Sequence, residues 1–445
     1  MKLTRISSSI LAAAALLSVQ SCLKEQHDVF PKSSSERLQE YLEEARQILT
    51  SSETGWIMEY YPGKNQKLGG YTYYLKFTDA EVEATFELDP DNTYRSLYKM
   101  TADNGPVLSF DTYNKALHYF ATPSSGEYQA KGGDFEFTIT SVSPEKIGLR
   151  GKRSGNRCDL YPYSAEGTPE DYVGKVADMA AGMRASIISG KIGETEVSGT
   201  VDFDTRHLTF KYVDETAPAA GETGETKADG KDDDPDAGKT VVSVPFMYTP
   251  DGLKTYGTAE VAGYSFDHMF YHSANNILTT GSVVFKGSLP EDYTSYSDFA
   301  GNYTLSMYNG KIRYDVTLSP DKTGTGYVMS GLLDGGHDVA LGYSSSRGRL
   351  SMNAQAVGAD GSNTVYLAAW SLDKEGGSLF VDEVYGMEIV RDVKTGNFKF
   401  VDNGQSDSVI DSFILWGITS AGGSAGEFTG WGESQFPYLQ TLTRK

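Results

Sequence analysis

From Ser33 to Ser52 the apolar positions Leu38, Leu42, Ala45 and Leu49 recur at helical spacing, while Glu36, Arg37, Glu40, Glu43, Glu44 and Arg46 occupy the opposite face. This spacing predicts an amphipathic helix capped by Ser33 or Ser34 and answered by Glu36. Gly55 ends it, and the period then changes to that of strands. Predicted strands are Trp56–Tyr61, Tyr71–Phe77, Val82–Leu88, Tyr94–Met100, Val107–Tyr113, Ala116–Phe120, Phe135–Thr140 and Lys146–Gly151. Residues 33–165 therefore read as a helix on an antiparallel β-meander.

A second helix is predicted from Pro169 to Ile187, with Val173, Val176, Met179, Ala180 and Met183 on one face and strands behind it. Thr168-Pro169-Glu170-Asp171-Tyr172 finds an echo in Leu289-Pro290-Glu291-Asp292-Tyr293. Phe110, Leu117 and Phe120 keep the spacing of Phe246, Leu253 and Tyr256. These pairs suggest that 166–290 repeats the plan of the first unit. Its stretch 214–239, centred on Glu222 to Asp236, offers too few apolar side chains to bury and reads as a disordered acidic loop. A third unit, 297–445, holds about ten short strand candidates, from Tyr303–Met307 to Tyr438–Leu442. It reads as a barrel or sandwich, loosely lipocalin-like.

Composition supports a mainly β, α+β class with few helices. The chain has 445 residues, more than one core usually organises, and its 29 Tyr and 48 Gly against 15 Pro suit short strands with tight turns. A net charge of −21 argues against nucleic acid as partner, because an acidic field repels phosphate.

The start of the chain is patterned differently. Lys2 and Arg5 precede an apolar run from Ile10 through Leu17 to Val19, too short to span a bilayer. Val19-Gln20-Ser21-Cys22 resembles the lipobox of bacterial lipoproteins, which implies a signal peptide over 1–21, a lipid on Cys22 holding the chain to a membrane, and a tether over 22–32. Cys158 is then the one remaining cysteine, without a disulfide partner or neighbouring base, and reads as a buried apolar residue.

Catalytic and metal constellations are weak. His268 and His272 share a face, but no third ligand accompanies them; His118, His207 and His337 stand alone; no Gly-x-Ser-x-Gly elbow occurs. No cofactor and no metal is implied. Aromatic residues beside turns offer a better binding surface, and Tyr60, Tyr61, Tyr71, Tyr73 and Tyr74, which flank a glycine-rich turn, are the candidate platform for a sugar or peptide.

Gly55-Trp56-Ile57-Met58-Glu59-Tyr60-Tyr61-Pro62, Gly69-Gly70-Tyr71, Pro106 to Asn114 (PVLSFDTYN), Gly133-Asp134-Phe135-Glu136-Phe137 and Leu149-Arg150-Gly151-Lys152 together resemble the domain of unknown function 4302 family of Bacteroidota lipoproteins. The resemblance implies placement in the cell envelope, at the outer membrane, and association with nutrient-import systems. It brings no catalytic residue. The expected role is a non-catalytic, lipid-anchored binding or assembly accessory of an outer-membrane transport complex; the alternative is an envelope hydrolase acting on a captured glycan or peptide.

Overall fold

The computed structural model describes residues 32–123, 130–214, 238–372 and 377–445. Cys22 and the acidic segment Glu222–Asp236 lie outside the described residues.

Helix α1 (Ser34–Ser51) opens on a capping box in which Ser33 and Glu36 satisfy each other's backbone N–H groups, and it buries Leu42, Ala45 and Leu49. Nine strands follow: β1 (Trp56–Tyr60), β2 (Tyr71–Phe77), β3 (Glu81–Phe86), β4 (Asp89–Leu97), β5 (Lys99–Ala102), β6 (Pro106–Ser109), β7 (Glu136–Ser143), β8 (Lys146–Gly151) and β9 (Arg157–Pro162). They form one sheet in the order β4-β3-β2-β1-β9-β8-β7-β6-β5. Its two edge strands are joined by Tyr98 alone, so the sheet must curl until its edges approach one another. The result is a half-barrel whose hollow α1 fills: Leu42, Ala45 and Leu49 share a core with Trp56, Tyr73, Phe86 and Phe137. The Trp56 indole N–H donates to the Leu49 carbonyl at 2.9 Å, tying helix to sheet. Gly55, at φ +79°, is obligatory here, since a Cβ would stand 2.5 Å from the Tyr74 ring.

Helix α2 (Pro169–Gly182), capped by Thr168 and Asp171, lies between the outer face of this sheet and the next unit. Val173 packs with Ile57, Tyr74 and Tyr163 on the sheet side, and Val176 enters the following core. That core is a closed antiparallel barrel of β10 (Ile187–Ile192), β11 (Thr195–Asp202), β12 (His207–Tyr212), β13 (Thr240–Thr249), β14 (Gly252–Val261), β15 (Tyr264–His272), β16 (Ile277–Thr280) and β17 (Val283–Ser288). Alternation sends Phe210, Phe246 and Phe285 inward, where all three are fully buried.

The third unit comprises β18 (Gly301–Met307), β19 (Ile312–Pro320), β20 (Gly326–Ser330), β21 (Val339–Ser344), β22 (Arg349–Asn353), β23 (Gln355–Asp360), β24 (Asn363–Ser371), β25 (Ser378–Phe380), β26 (Gly386–Arg391), β27 (Phe398–Asp402), β28 (Ser412–Ile418), β29 (Ser424–Glu427), β30 (Gln435–Phe436) and β31 (Leu439–Arg444). Strands β18 to β22 with β26, β27 and β31 close a second eight-stranded barrel, and the rest form a sheet packed on it over one continuous core. The class is therefore mainly β with two α-helices among the described residues, as expected.

Two sequence expectations fail locally. Ala116–Phe120 forms turns, not a strand, and β6 stops at Ser109. The cause is Asn114, which is buried: its Nδ2 donates to the Tyr94 carbonyl and Ser96 Oγ, and its Oδ1 accepts from the Ala116 and Leu117 N–H groups. One side chain thus replaces a strand partner on both sides. The apparent match of Phe110, Leu117 and Phe120 to Phe246, Leu253 and Tyr256 is consequently not structural, because the second set sits on the β13–β14 hairpin, where Tyr248 faces Leu253.

Candidate functional site

All five tyrosines expected to form a platform are buried, between 1% and 7% exposed. The strands carrying them are covered on both faces, so alternation does not bring every second ring to solvent: Tyr60, Tyr71 and Tyr73 face the half-barrel core, Tyr74 faces α2, and Tyr61 meets Tyr256 of the first closed barrel edge-on at 4.7 Å. Burial raises the Tyr60 and Tyr73 hydroxyl pKa values well above the usual phenol. These rings are supports. The Tyr60 hydroxyl accepts from the Asp134 N–H, the Tyr73 hydroxyl donates to the Ala116 carbonyl at 3.4 Å, and Tyr71 packs against Phe120 at 4.5 Å. These contacts hold Ala116, Phe120 and Asp134 in place.

Beside these anchors stand rings that reach solvent. Tyr113 is 66% exposed and Phe135 39%. His118 lies between them, 5.5 Å from Tyr113 and 5.4 Å from Phe135, the latter pair nearly parallel at 19°. Its Nδ1 lies 3.2 Å from both the N–H and the carbonyl oxygen of Asn114, which fixes the ring plane. Burial lowers its pKa, favouring the neutral ring. Tyr119, also exposed, extends the group towards Phe86. The loop is pinned from outside as well: Lys115 Nζ donates to Asp89 Oδ2 and to the Tyr94 hydroxyl, each at 2.9 Å. A stack of flat faces on a fixed loop is suited to a ligand with a flat apolar face.

A second aromatic hollow, of about 220 Å³, lies between β1, β9, α2 and β14 and is lined by Tyr161, Tyr163 and Tyr172. Its charges are already matched. Lys254 pairs with Glu59 and stands 5.2 Å over the Tyr161 ring, so that ring face is occupied from within. The Tyr113–His118–Phe135 stack is therefore the better site.

Sequence reasoning missed this stack although its signal was present. Tyr113 and Phe135 belong to the two motifs PVLSFDTYN and GDFEF, but periodicity places Val107–Tyr113 in a strand and leaves His118 isolated. The histidines His268 and His272 do not converge on an ion: His268 meets Asp251 at 3.3 Å, His272 meets Thr279, and no cluster of three metal-ligating side chains occurs among the described residues. Cys158 is buried and its thiol pKa is driven up by burial, as an apolar core residue.

Fold and geometry together describe a β-rich protein with filled barrels and an exposed aromatic stack outside them. The chain belongs to the family described as domain of unknown function (DUF4302), whose model matches residues 26–273; a second domain of unknown function, DUF4987, matches residues 278–416. Comparison with curated proteins gives no match. Among solved structures, a tryptophan-to-alanine mutant of the vaccine antigen Transferrin Binding Protein B from Haemophilus parasuis Hp5 aligns with 87% of this chain and 74% of that chain, at 10% identity and a TM-score of 0.13.

Proposed function

We propose that this protein is a non-catalytic binding module, anchored to the cell envelope through a lipid on Cys22, that presents the Tyr113–His118–Phe135 stack to the flat face of a sugar or peptide ligand and serves an outer-membrane import complex. The observation that carries the binding role is the exposure of Tyr113 beside a buried Asn114. One residue of the motif fixes the loop, while its neighbour leaves a large ring in water for which the fold itself has no use. Filled barrels support the same reading, since they leave the ligand to outer surfaces. The lipobox-like Val19 to Cys22 supports anchoring.

The test is a glycan and peptide array probed with the wild-type chain and with Tyr113→Ala. Signals lost in the variant support the site; identical profiles overturn it. Anchoring is tested separately by crosslinking in intact cells with Cys22→Ala alongside: recovery of an outer-membrane transporter that depends on Cys22 supports the accessory role, and recovery independent of Cys22 removes the anchor from the proposal.

A further inference from the structure

The mouth of the C-terminal barrel is built from neighbouring strands in register. Arg391 on β26 faces Phe398 on β27, Phe398 faces Leu442 on β31, and Arg444 on β31 faces Tyr303 on β18. Residues directly opposite share a face of the sheet, and so do residues two apart on one strand. Phe398, Leu442 and Tyr303 are buried, pointing into the barrel, so Arg391 and Arg444 are the last inward positions and crown its rim. The segment Tyr293–Phe299 crosses this end, and Phe299 stacks on Phe398 at 4.8 Å, closing the barrel below the rim. Between segment and rim remains a cleft of about 280 Å³.

We propose that this cleft binds an acidic sugar residue, with the two guanidiniums on its carboxylate or sulfate and the neighbouring neutral groups on its hydroxyls. Neither arginine forms an ion pair among the described residues: Arg444 donates to the Ala300 carbonyl and covers the Tyr303 ring at 5.7 Å, and Arg391 is exposed. The cleft holds two guanidiniums against one carboxylate, Asp298, a cationic excess out of keeping with a chain of net charge −21. Guanidinium is also the group whose paired N–H donors fit a carboxylate or sulfate.

The outer wall of the cleft is fixed by backbone contacts: Thr294 lines it, its carbonyl accepts from the Tyr343 hydroxyl and its N–H donates to the Gly348 carbonyl. The Asn397 amide and the Asp298 carboxylate also line the space, adding donors and an acceptor for hydroxyls over an apolar floor of Tyr303 and Phe398. Asn397 is held in place because the turn before it is tied by Asp392, which accepts from the Lys394 N–H and the Thr395 hydroxyl.

This cleft lies on a different unit from the aromatic stack, and its test is separate. The full chain is titrated by calorimetry with galacturonate oligomers and sulfated monosaccharides, against neutral galactose and inorganic sulfate. Acidic sugars are expected to bind and galactose not to, with Arg391→Ala weakening the affinity by about tenfold, as for loss of one charge-assisted contact. The Arg391 side chain has no hydrogen bond or ion pair among the described residues and is exposed, so its variant is expected to stay folded, which near-ultraviolet circular dichroism checks. Equal binding of galactose, inorganic sulfate binding as tightly as the acidic sugars, or unchanged affinity in Arg391→Ala would each overturn the proposal.

Discussion

Arg206 of the first closed barrel and Glu87 of the half-barrel form an ion pair, 2.5 Å apart, with side chains 5% and 1% exposed. The guanidinium also donates to the Gly70 carbonyl and lies 3.7 Å from the Tyr71 ring centre and 4.9 Å from that of Tyr248. Gly69 makes this approach possible: a Cβ there would stand 2.3 Å from Arg206 Cβ. The Gly69-Gly70-Tyr71 motif is thus a docking point between units. Arg206→Ala leaves a buried carboxylate without its cation and is expected to cost about 3–5 kcal/mol, read by urea unfolding. Arg206→Lys, which keeps charge without the planar fork, is expected to recover only part of that loss.

Tyr113 and Asn114 are adjacent and should respond in opposite ways. Tyr113→Ala removes an exposed ring and is expected to change stability by less than about 0.5 kcal/mol. Asn114→Ala strips partners from buried groups on two segments and is expected to cost about 2 kcal/mol or more. Thermal unfolding of both variants measures this. A large destabilisation by Tyr113→Ala would make the ring structural and remove the case for a binding surface.

These two residues also show what sequence reasoning reaches. Helix α1 was legible because capping box and apolar stripe are both local. The β2 strand was legible from its Tyr, Thr and Phe content. The turn at Asn114 was not, since its partners Tyr94 and Ser96 are distant in sequence and strand-like alternation continues through the loop. Burial of Tyr60, Tyr71 and Tyr73 escaped for a similar reason: alternation implies one wet face only where a sheet has one, and this sheet carries α1 within and α2 outside. The cleft at Arg391 and Arg444 depends on the pairing of strands far apart in the chain, which periodicity does not encode.

Acid should loosen the aromatic loop. Hydrogen bonds from Tyr94, Asn92 and Lys115 lower the Asp89 carboxyl pKa from 3.8 to about 2. A carboxylate whose pKa is lower in the folded state binds fewer protons there, so its stabilisation is complete above 3.8 and is lost as pH falls through about 2. Acid titration of amide signals from Lys115 and its neighbours is expected to show this transition in the wild type. In Asp89→Asn the transition should be absent, and its persistence would assign it to another carboxylate.

Cys158 tests the packing of the half-barrel. It is 2% exposed, and burial raises its thiol pKa well above the usual value, so it lacks both access and thiolate. Ellman's reagent is expected to leave it untouched in the native chain and to titrate it after unfolding in guanidinium. Fast labelling of the native chain would mean that β9 opens readily from the sheet.

The turn that carries Arg206 into the half-barrel also reaches the C-terminal unit. Asp202 Oδ1 accepts from the Asp204 and Thr205 N–H groups at 2.9 Å, which fixes the turn, and the Asp204 carboxylate accepts from the hydroxyls of Ser344 and Ser345 at 2.8 Å and from the Ser345 N–H at 3.1 Å. Two residues of one turn therefore hold the first closed barrel to both neighbours, one through a buried pair and the other through bonds near solvent. Because water competes for the second set, Asp204→Ala is expected to cost about 1 kcal/mol, far less than Arg206→Ala. Its clearer effect should be on cooperativity. Calorimetry of Asp204→Ala is expected to separate unfolding of the C-terminal unit from that of the other two, with small-angle scattering showing a more extended particle, whereas a single unshifted transition would mean that other contacts suffice to couple the barrels.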